Sequence, residues 1–383
     1  MAEKKKPYAH SAIYSAYEGE NTFKFGGGID RFFLESGASL PSVTVNYQTY
    51  GRLNSAGDNA VYIAHALTGG SLVGEHRRQG KEDGWWEPLV GPGKAIDTNR
   101  YFVVCSNALG GCYGTTGPAS PDVRRDRPYA MKFPVITVRD MVRVQKRLTD
   151  HLGVKRLVAV VGGSMGAMQA LEWGVCYPDM VERVVAIAAS GKLSPIGIAF
   201  NQAGRRAIIN DPLWQGGNYY GKDIPRDGLS LARLIATITY RSYESFESRF
   251  GRTLQKAGEE NQLSIRDQFV VESYLNYQGE KLTHRFDPNA YLYLSKAMDL
   301  HDLGRGYTSY KTALGRIRSR VFLMGISTDI LFYPREVRGL SVEMRRSGVD
   351  ARYDELNSPH GHDSFLIEFN TMDAYMRDCL AGR

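Results

Sequence analysis

The segment 157–166 constrains the fold more than any other part of this chain. It reads Leu-Val-Ala-Val-Val-Gly-Gly-Ser-Met-Gly, so an apolar, β-branched strand runs directly into a Gly-x-Ser-x-Gly turn, and residues 167–173 then favour a helix. Such a turn holds its central residue in a strained backbone conformation. The pattern predicts a nucleophile elbow that exposes Ser164 above a sheet, with glycine required at Gly162 and Gly166, where a Cβ would collide with the neighbouring strand or helix.

The other apolar runs indicate how the sheet is built. Continuous rather than alternating runs, typical of strands buried on both faces of a parallel sheet, occupy residues 60–64, 101–105, 157–161, 184–188 and 321–324. Residues 43–50 alternate instead, which predicts an antiparallel strand at the edge of the sheet. The sequence therefore predicts an α/β fold with a mostly parallel central sheet.

The strand pattern stops between residues 193 and 318, where the sequence favours helices and is rich in tyrosine. These helices could be crossover helices of the sheet, but one crossover needs only about a dozen residues or slightly more. We therefore predict two units. An α/β core comprises residues 1–192 and 319–383, and an inserted helical lid comprises residues 193–318.

The composition argues against several classes of protein. No apolar run approaches the roughly 18 to 20 residues of a membrane span, and the lysine cluster at residues 1–7 has no apolar stretch behind it, so neither export nor a membrane partner is expected. The four cysteines show no Cys-x-x-Cys spacing, which argues against a zinc site or a disulfide framework and favours the cytoplasm.

The net charge of +7 arises from scattered basic residues mixed with 41 acidic ones, without a dense basic stripe, so no nucleic-acid partner is expected. A polyanionic small molecule such as coenzyme A would explain this positive charge as well as a nucleic acid would. A generic positive surface accounts for most of these lysines and arginines.

A serine hydroxyl is a poor nucleophile unless a base removes its proton, and in folds with this elbow an acid and then a histidine follow the serine in the chain. Asp329 lies just beyond the predicted strand 321–324, where a carboxylate points into the site. His362 lies in a later loop, and His360 in the same loop is the alternative base. Asp329 would orient the imidazole and stabilise the imidazolium formed during the reaction.

An oxyanion needs preorganised donors, commonly the backbone amide after the nucleophile and another from the loop after an early strand. The first is the amide of Met165. The second, in the loop 65–70, is the amide of Leu67. Gly69 and Gly70 would let a ligand approach this backbone closely.

With these landmarks in place, the sequence resembles the homoserine O-acetyltransferase family, an acyltransferase branch of the α/β-hydrolase fold. The resemblance covers most of the chain and rests on a set of motifs that are specific only together. They are Tyr-Gln-Thr-Tyr-Gly-Arg-Leu-Asn at 47–54, His-Ala-Leu-Thr-Gly at 65–69, Asn-Ala-Leu-Gly-Gly-Cys at 107–112, Gly-Thr-Thr-Gly-Pro at 114–118, Gly-Ser-Met-Gly at 163–166 and Gly-His-Asp-Ser-Phe-Leu at 361–366.

The resemblance implies that an acyl-CoA acylates Ser164, that Asp329 and His362 complete a triad, and that the hydroxyl of L-homoserine then takes the acyl group in a ping-pong cycle. It favours His362 over His360 as the base. It also implies acetyl-CoA as co-substrate, no metal and no tightly bound cofactor. A role in methionine biosynthesis and a homodimer formed through the lid are implied as well.

The resemblance further suggests how the amino acid is held. Residues 200–205 match the family's Phe-Asn-x-x-x-Arg pattern, so Arg205 is the expected clamp for the substrate carboxylate, with a planar fork suited to bidentate pairing. Only geometry could exclude the neighbouring Arg206. Asp363, directly after the base, is expected to pair with the substrate ammonium.

Two positions depart from the family pattern near the expected acyl pocket. Ala167 stands where many relatives carry glycine, and residues 71–76 differ after the Thr-Gly turn. A succinyl donor or a serine acceptor is therefore an alternative. An esterase or thioesterase with the same triad is another, but it would not need Arg205 and Asp363. A catalytically silent binding protein would be expected to lose one position of the triad.

Overall fold

Eight strands form the central sheet of the computed structural model, which describes residues 19–75, 84–122, 124–256, 265 and 269–383. In chain order they are β1 (Asn21–Gly26), β2 (Ser42–Tyr50), β3 (Ala60–Ala64), β4 (Phe102–Ser106), β5 (Leu157–Gly163), β6 (Arg183–Ile187), β7 (Arg320–Ile326) and β8 (Ala351–Leu356). They lie side by side in the order β1-β2-β4-β3-β5-β6-β7-β8. In this sheet β2 is antiparallel to its two neighbours and the remaining pairs are parallel, which confirms the predicted fold class.

The predicted antiparallel strand is present as β2, but its placement at the edge of the sheet is wrong. Strand β1 pairs with it from Asn21 opposite Tyr47 to Gly26 opposite Ser42, and β1 therefore takes the edge. The side chains of Phe23 and Phe25 pack against the core from this strand. Their alternation with polar residues is short, and it was not recognised in the sequence as a strand.

The described residues also contain ten α-helices. They are α1 (Val138–His151), α2 (Met165–Cys176), α3 (Pro195–Asn210), α4 (Arg226–Tyr240), α5 (Tyr243–Phe250), α6 (Val270–Thr283), α7 (Pro288–Asp299), α8 (Tyr310–Leu314), α9 (Pro334–Arg346) and α10 (Phe369–Ala381). Short 3₁₀ turns occupy Ala130–Lys132, Pro212–Gly217 and Gly361–Leu366. Two-residue ladders join Phe32–Phe33 to Ser39–Leu40, Val90–Gly91 to Ile96–Asp97, and Pro121–Asp122 to Arg127–Pro128.

Alternate residues of each central strand belong to different hydrophobic clusters, one on each face of the sheet. In β5, Val160 packs into the cluster that includes α1, α2 and α9, whereas Ala159 and Val161 pack into the cluster that includes α10. Both faces are therefore covered, which explains why these strands are continuously apolar. Helix α1 starts with a capping box in which Thr137 and Asp140 satisfy each other's backbone amides.

Helices α3 to α8 all lie between β6 and β7, within residues 193–318. Arg139 of α1 connects the end of this helical segment to the rest of the molecule. Its guanidinium pairs with Glu172 of α2 and with Glu35, and it donates to the carbonyl oxygens of Leu303 and Arg305. One half-buried cation therefore joins four separate parts of the chain.

No helix within the described ranges is long and apolar enough to cross a membrane. Among the same residues, no cluster of three or more histidine, cysteine, aspartate or glutamate side chains is arranged to hold a metal ion. The four cysteines are free thiols. The lysine cluster at residues 1–7 and His76 of the divergent segment 71–76 lie outside the described residues.

Candidate active site

Ser164 lies at the turn between β5 and α2, with φ at 58° and ψ at −126°. A Cβ on Gly162 would lie 2.3 Å from the carbonyl carbon of Gly166, and one on Gly166 would lie 2.1 Å from Ala64 O, so the predicted need for glycine at both positions is confirmed. The same holds for Gly163, where a Cβ would lie 2.5 Å from the ring of Phe365.

The predicted exposure of Ser164 differs from the structure, in which this residue is only 6% exposed. The loop that contains residues 361–366 folds over the elbow, and the ring of Phe365 packs directly on Gly163. The serine is therefore screened from bulk water. Sequence patterns place the turn on the sheet, but they do not reveal which distant loop covers it.

Asp329 and His362 are in direct contact. The Nδ1 atom of His362 lies 2.7 Å from Asp329 Oδ2, and both residues are buried. The other carboxylate oxygen, Asp329 Oδ1, accepts hydrogen bonds from the backbone amides of Leu331 and Phe332 at 2.8 and 2.9 Å. The backbone after β7 therefore fixes the carboxylate, and the carboxylate fixes the orientation of the imidazole.

The imidazole of His362 is held between aromatic rings. Its ring centroid lies 5.3 Å from that of Phe332, 5.7 Å from that of Tyr240 and 5.8 Å from that of Phe365. Its Nε2 atom is buried and has no hydrogen-bond partner among the described residues. Phe365 contacts both this ring and Gly163, the residue before Ser164. The unpartnered nitrogen therefore lies on the same side of the molecule as the elbow.

Opposing effects act on the pKa of His362. Burial lowers this pKa, but the negative charge and hydrogen bond of Asp329, with a smaller contribution from Asp363, outweigh burial and raise it above the ordinary value. The imidazolium is therefore stabilised more than burial alone would allow. A base of this kind can take a proton and hold it while a reaction proceeds.

The alternative base, His360, lies elsewhere. Its ring is partly exposed, and its Nε2 lies 3.8 Å from Glu368 Oε1. Glu368 also accepts a hydrogen bond from Ser358. The structure therefore brings His362, and not His360, to Asp329.

The two amides predicted to bind an oxyanion lie on elements that touch. Met165 begins α2 directly after Ser164, and Leu67 lies in the loop after β3. These elements meet where Gly166 contacts the Ala64 carbonyl. Within the described part of the chain, neither amide donates a hydrogen bond to the protein, so both are available to a ligand.

Arg205, the predicted carboxylate clamp, already has protein partners. It is 8% exposed, and its Nη2 lies 2.5 Å from Oδ2 of Asp299, which is itself buried. The guanidinium also donates to Gln202 and Ser295. The guanidinium of Arg205 is therefore already occupied by side chains of α7. Asp299 lies so far from Arg205 in the chain that no local sequence pattern could reveal the pair.

A different guanidinium, with no motif to mark it in the sequence, lies over the tyrosine that packs on the base. Arg233 of α4 stacks over Tyr240 with Cζ 5.4 Å from the ring centroid, and Tyr240 packs on His362. No acidic side chain of the described residues forms an ion pair with Arg233. The one sequence signal is the spacing of seven residues from Tyr240, which places both on one face of a helix.

Asp363, predicted to bind the substrate ammonium, is partly exposed next to His362. Its Oδ2 lies 3.4 Å from Nη2 of Arg241, at the end of α4. The negative charge of Asp363 and the positive charge of Arg233 both act on the hydroxyl of Tyr240. A positive and a negative charge therefore lie near the tyrosine that packs on the base.

Comparison with known proteins agrees with this architecture. Residues 59–338 match the sequence profile of the α/β hydrolase fold, and the protein is therefore a member of that class. It is 52% identical over 354 residues to a homoserine O-acetyltransferase of Carboxydothermus hydrogenoformans, covering 91% of this chain and 93% of the relative. A homoserine O-acetyltransferase of Moorella thermoacetica is 53% identical over 348 residues, with 91% of this chain and 92% of the relative covered.

Solved structures give a similar result. The crystal structure of homoserine O-acetyltransferase from Bacillus anthracis superposes with a TM-score of 0.87 at 30% identity, covering 94% of this chain and 97% of that one. Esterase E22 superposes with a TM-score of 0.86 at 28% identity, covering 94% and 99%. From the identity along most of its length, the chain belongs to the homoserine O-acetyltransferase family.

The first prediction concerns the titration of His362. By NMR, we expect its imidazole to titrate above the ordinary value of about 6.5. In Asp329→Asn burial acts with little compensation, so the midpoint should fall below that of the unaltered protein and below the ordinary value. Asp363→Asn is the matched control and should give a smaller fall in the same direction. An imidazole that titrates in Asp329→Asn at or above its wild-type midpoint would contradict this description of the site.

Proposed function

We propose that this protein transfers an acetyl group from acetyl-CoA to the hydroxyl of L-homoserine, through an acyl-enzyme on Ser164. The observation that carries the proposal is the buried His362–Asp329 pair beside a strained serine. The Nε2 atom of His362 has no hydrogen-bond partner among the residues that the structure describes. The chain has this arrangement together with 52% identity to a homoserine O-acetyltransferase along most of its length. The activity would serve methionine biosynthesis.

In the first half of the cycle, His362 Nε2 takes the proton of Ser164 Oγ as the oxygen attacks the thioester carbonyl. The amides of Leu67 and Met165 donate to the oxyanion of the tetrahedral intermediate. When the intermediate collapses, the carbon–sulfur bond breaks and the imidazolium returns the proton to the thiolate of coenzyme A. The carboxylate of Asp329 stabilises the imidazolium throughout. Acetyl-CoA acts as co-substrate, and the mechanism uses no metal or tightly bound cofactor.

In the second half, the homoserine hydroxyl replaces serine as the nucleophile. His362 removes the hydroxyl proton, the new ester bond forms, and the bond to Ser164 breaks as the proton returns to its oxygen. The same two amides hold the oxyanion. Transfer competes with hydrolysis, so the site must admit homoserine and disfavour water. The low exposure of Ser164 supports this requirement.

The amino-acid substrate needs a cation for its carboxylate and an anion for its ammonium. We assign the first to Arg233, because no acidic side chain within the described ranges pairs with it, whereas Arg205 is engaged by Asp299. We keep Asp363 for the second, since its carboxylate lies next to His362 and is partly exposed. The proposal therefore moves the carboxylate clamp from α3 to α4.

We also propose that residues 193–318 act as a lid on a core formed by residues 1–192 and 319–383. The helical content between β6 and β7 supports this division. The contacts of Tyr240 with His362 support it further, because they bring a lid residue onto the base. The free thiols fit a cytoplasmic location.

A homodimer formed through the lid is part of the proposal. On α4, Leu231 and Ile238 are 48% and 44% exposed. Half-buried Leu234 and Ile235 lie between them on the same stripe. Tyr277 of α6, which packs beside α4, is 58% exposed. A second copy of this stripe would cover the apolar face by two-fold symmetry.

The second prediction tests the reaction. Purified protein should release coenzyme A from acetyl-CoA continuously only when L-homoserine is present. When homoserine is omitted, release should stop after about one equivalent per active site, and mass spectrometry should then detect acetyl-Ser164. Ser164→Ala should lower turnover by at least about 10³-fold and remain folded. Succinyl-CoA and L-serine are the comparison substrates. Release that is indifferent to any amino acid would indicate a thioesterase, and acyl transfer that prefers succinyl-CoA or serine would reassign the specificity.

The third prediction separates two arginines. Arg233→Lys keeps the charge but loses the fork, so KM for homoserine should rise about 10-fold or more, with little change in KM for acetyl-CoA. Arg205→Lys is the matched control. It should lower thermal stability by disturbing the pair with Asp299, while KM for homoserine stays within about two-fold. The opposite result would return the clamp to Arg205.

The fourth prediction concerns assembly. The double variant Leu231→Glu, Ile238→Glu places charges on the apolar stripe of α4 and should sediment as a monomer, whereas the unaltered chain should sediment as a dimer. Ile29→Glu alters a fully exposed isoleucine in the connection between β1 and β2 and is the control, which should remain dimeric. A double variant that stays dimeric would place the interface elsewhere.

A further inference from the structure

A chain of buried amide hydrogen bonds runs beneath the elbow. Trp173 Nε1 donates to Gln145 Oε1 at 2.8 Å, and Gln145 Nε2 donates to Gln169 Oε1 at 2.5 Å. Gln169 Nε2 then donates to the carbonyl oxygens of His65 and Met165 at 3.2 and 3.1 Å. The direction of the chain is fixed, because an indole nitrogen can only donate.

The two carbonyls that receive Gln169 lie next to the amides assigned to the oxyanion. Met165 supplies one of these amides itself. His65 precedes Leu67 by two residues, in the loop after β3. Gln169 is 1% exposed, so its hydrogen bonds are shielded from water.

The ring of His65 completes the support of this loop. Its Nε2 accepts a hydrogen bond from the amide of Ala108, and its Nδ1 therefore carries the proton that is donated to the carbonyl of Ala66 at 2.7 Å. Burial lowers the pKa of His65 to about 4, so the ring stays neutral in this arrangement. The loop before Leu67 is thus fixed from one side by its own imidazole and from the other by Gln169.

We propose that Gln169 is a positioning residue that sets the separation of the Leu67 and Met165 amides. It is the one side chain in the described residues that donates to both the β3 loop and the start of α2. The inference rests on the proposed function, in which both amides hold the oxyanion. Helix α2 then has two roles. It presents Ser164, and through Gln169 it holds the loop after β3 at the distance that a tetrahedral intermediate needs.

The test is the rate of Ser164 acylation, measured as the burst of coenzyme A released from acetyl-CoA. Gln169→Met keeps the volume but removes both donors, and the burst rate should fall about 10-fold, which is less than the loss of a whole oxyanion donor. KM for homoserine should stay within about two-fold, since no substrate contact changes. Gln145→Met is the matched control. It breaks the neighbouring link and should cost similar thermal stability while the burst rate stays within about two-fold of the wild-type rate.

Gln169→Glu provides a second test, which measures the pH dependence of the rate. If the role of Gln169 were purely structural, the rate would not follow the ionisation of the introduced carboxyl group. When protonated, its carboxyl group can still donate to the His65 carbonyl, and when ionised it repels that carbonyl. The rate relative to the unaltered enzyme should therefore be highest at low pH and fall as pH rises through the carboxyl pKa, which burial raises.

Two results would overturn the proposal: a wild-type burst rate in Gln169→Met, or equal losses in Gln169→Met and Gln145→Met at matched folded fractions. Failure of the proposed function would appear differently. A thioesterase would continue to release coenzyme A beyond one equivalent without homoserine in the unaltered protein, yet its acylation step would use the same oxyanion amides and could be tested with the same variants.

Discussion

The contact between the backbones of α2 and β3 at Gly166 is the constraint on which the candidate site depends. With no side chain at Gly166, the start of α2 lies against the carbonyl of Ala64. This approach brings the loop after β3 next to Ser164, although about a hundred residues separate them in the chain. It also requires the strained φ of Ser164, and the burial of almost every residue of α2 offsets that strain.

Two buried contacts between a basic side chain and an aspartate have different roles. His362 meets Asp329 at 2.7 Å, and Arg205 meets Asp299 at 2.5 Å. A guanidinium does not give up its proton, and both Nη atoms of Arg205 have protein partners. An imidazole exchanges its proton near neutral pH, and Nε2 of His362 has no partner among the described residues. The first pair therefore suits chemistry and the second suits structure.

The features that could be predicted from the sequence are those that depend on local patterns. Strand runs, the Gly-x-Ser-x-Gly turn and the order of Ser164, Asp329 and His362 are local signals, since they depend on periodicity and on the ends of strands. The fold class could be predicted from them. The edge strand β1 was missed because its alternating run is short, and the covering of Ser164 was missed because a distant loop provides it.

The arginines required information that a linear pattern does not contain. Arg205 carries the more suggestive motif, but its partner Asp299 comes from a separate helix. Arg233 carries no motif, and its position follows from the packing of α4 on the histidine loop. Gln169 is similar, because its partners come from α1, from α2 and from the loop after β3. Roles that depend on contacts between distant segments become visible only once those segments have been placed.

The resemblance of the fold to both acetyltransferases and esterases indicates where the two activities must diverge. A triad and two oxyanion amides are sufficient for acylation of serine by either kind of enzyme. Transfer additionally needs a place for the acceptor, and under the proposed function α4 supplies it. This helix presents Arg233, packs Tyr240 on the base and exposes the apolar stripe assigned to a second copy. Acceptor binding, positioning of the base and assembly would therefore depend on one helix, so a change in the packing of α4 would alter all three together.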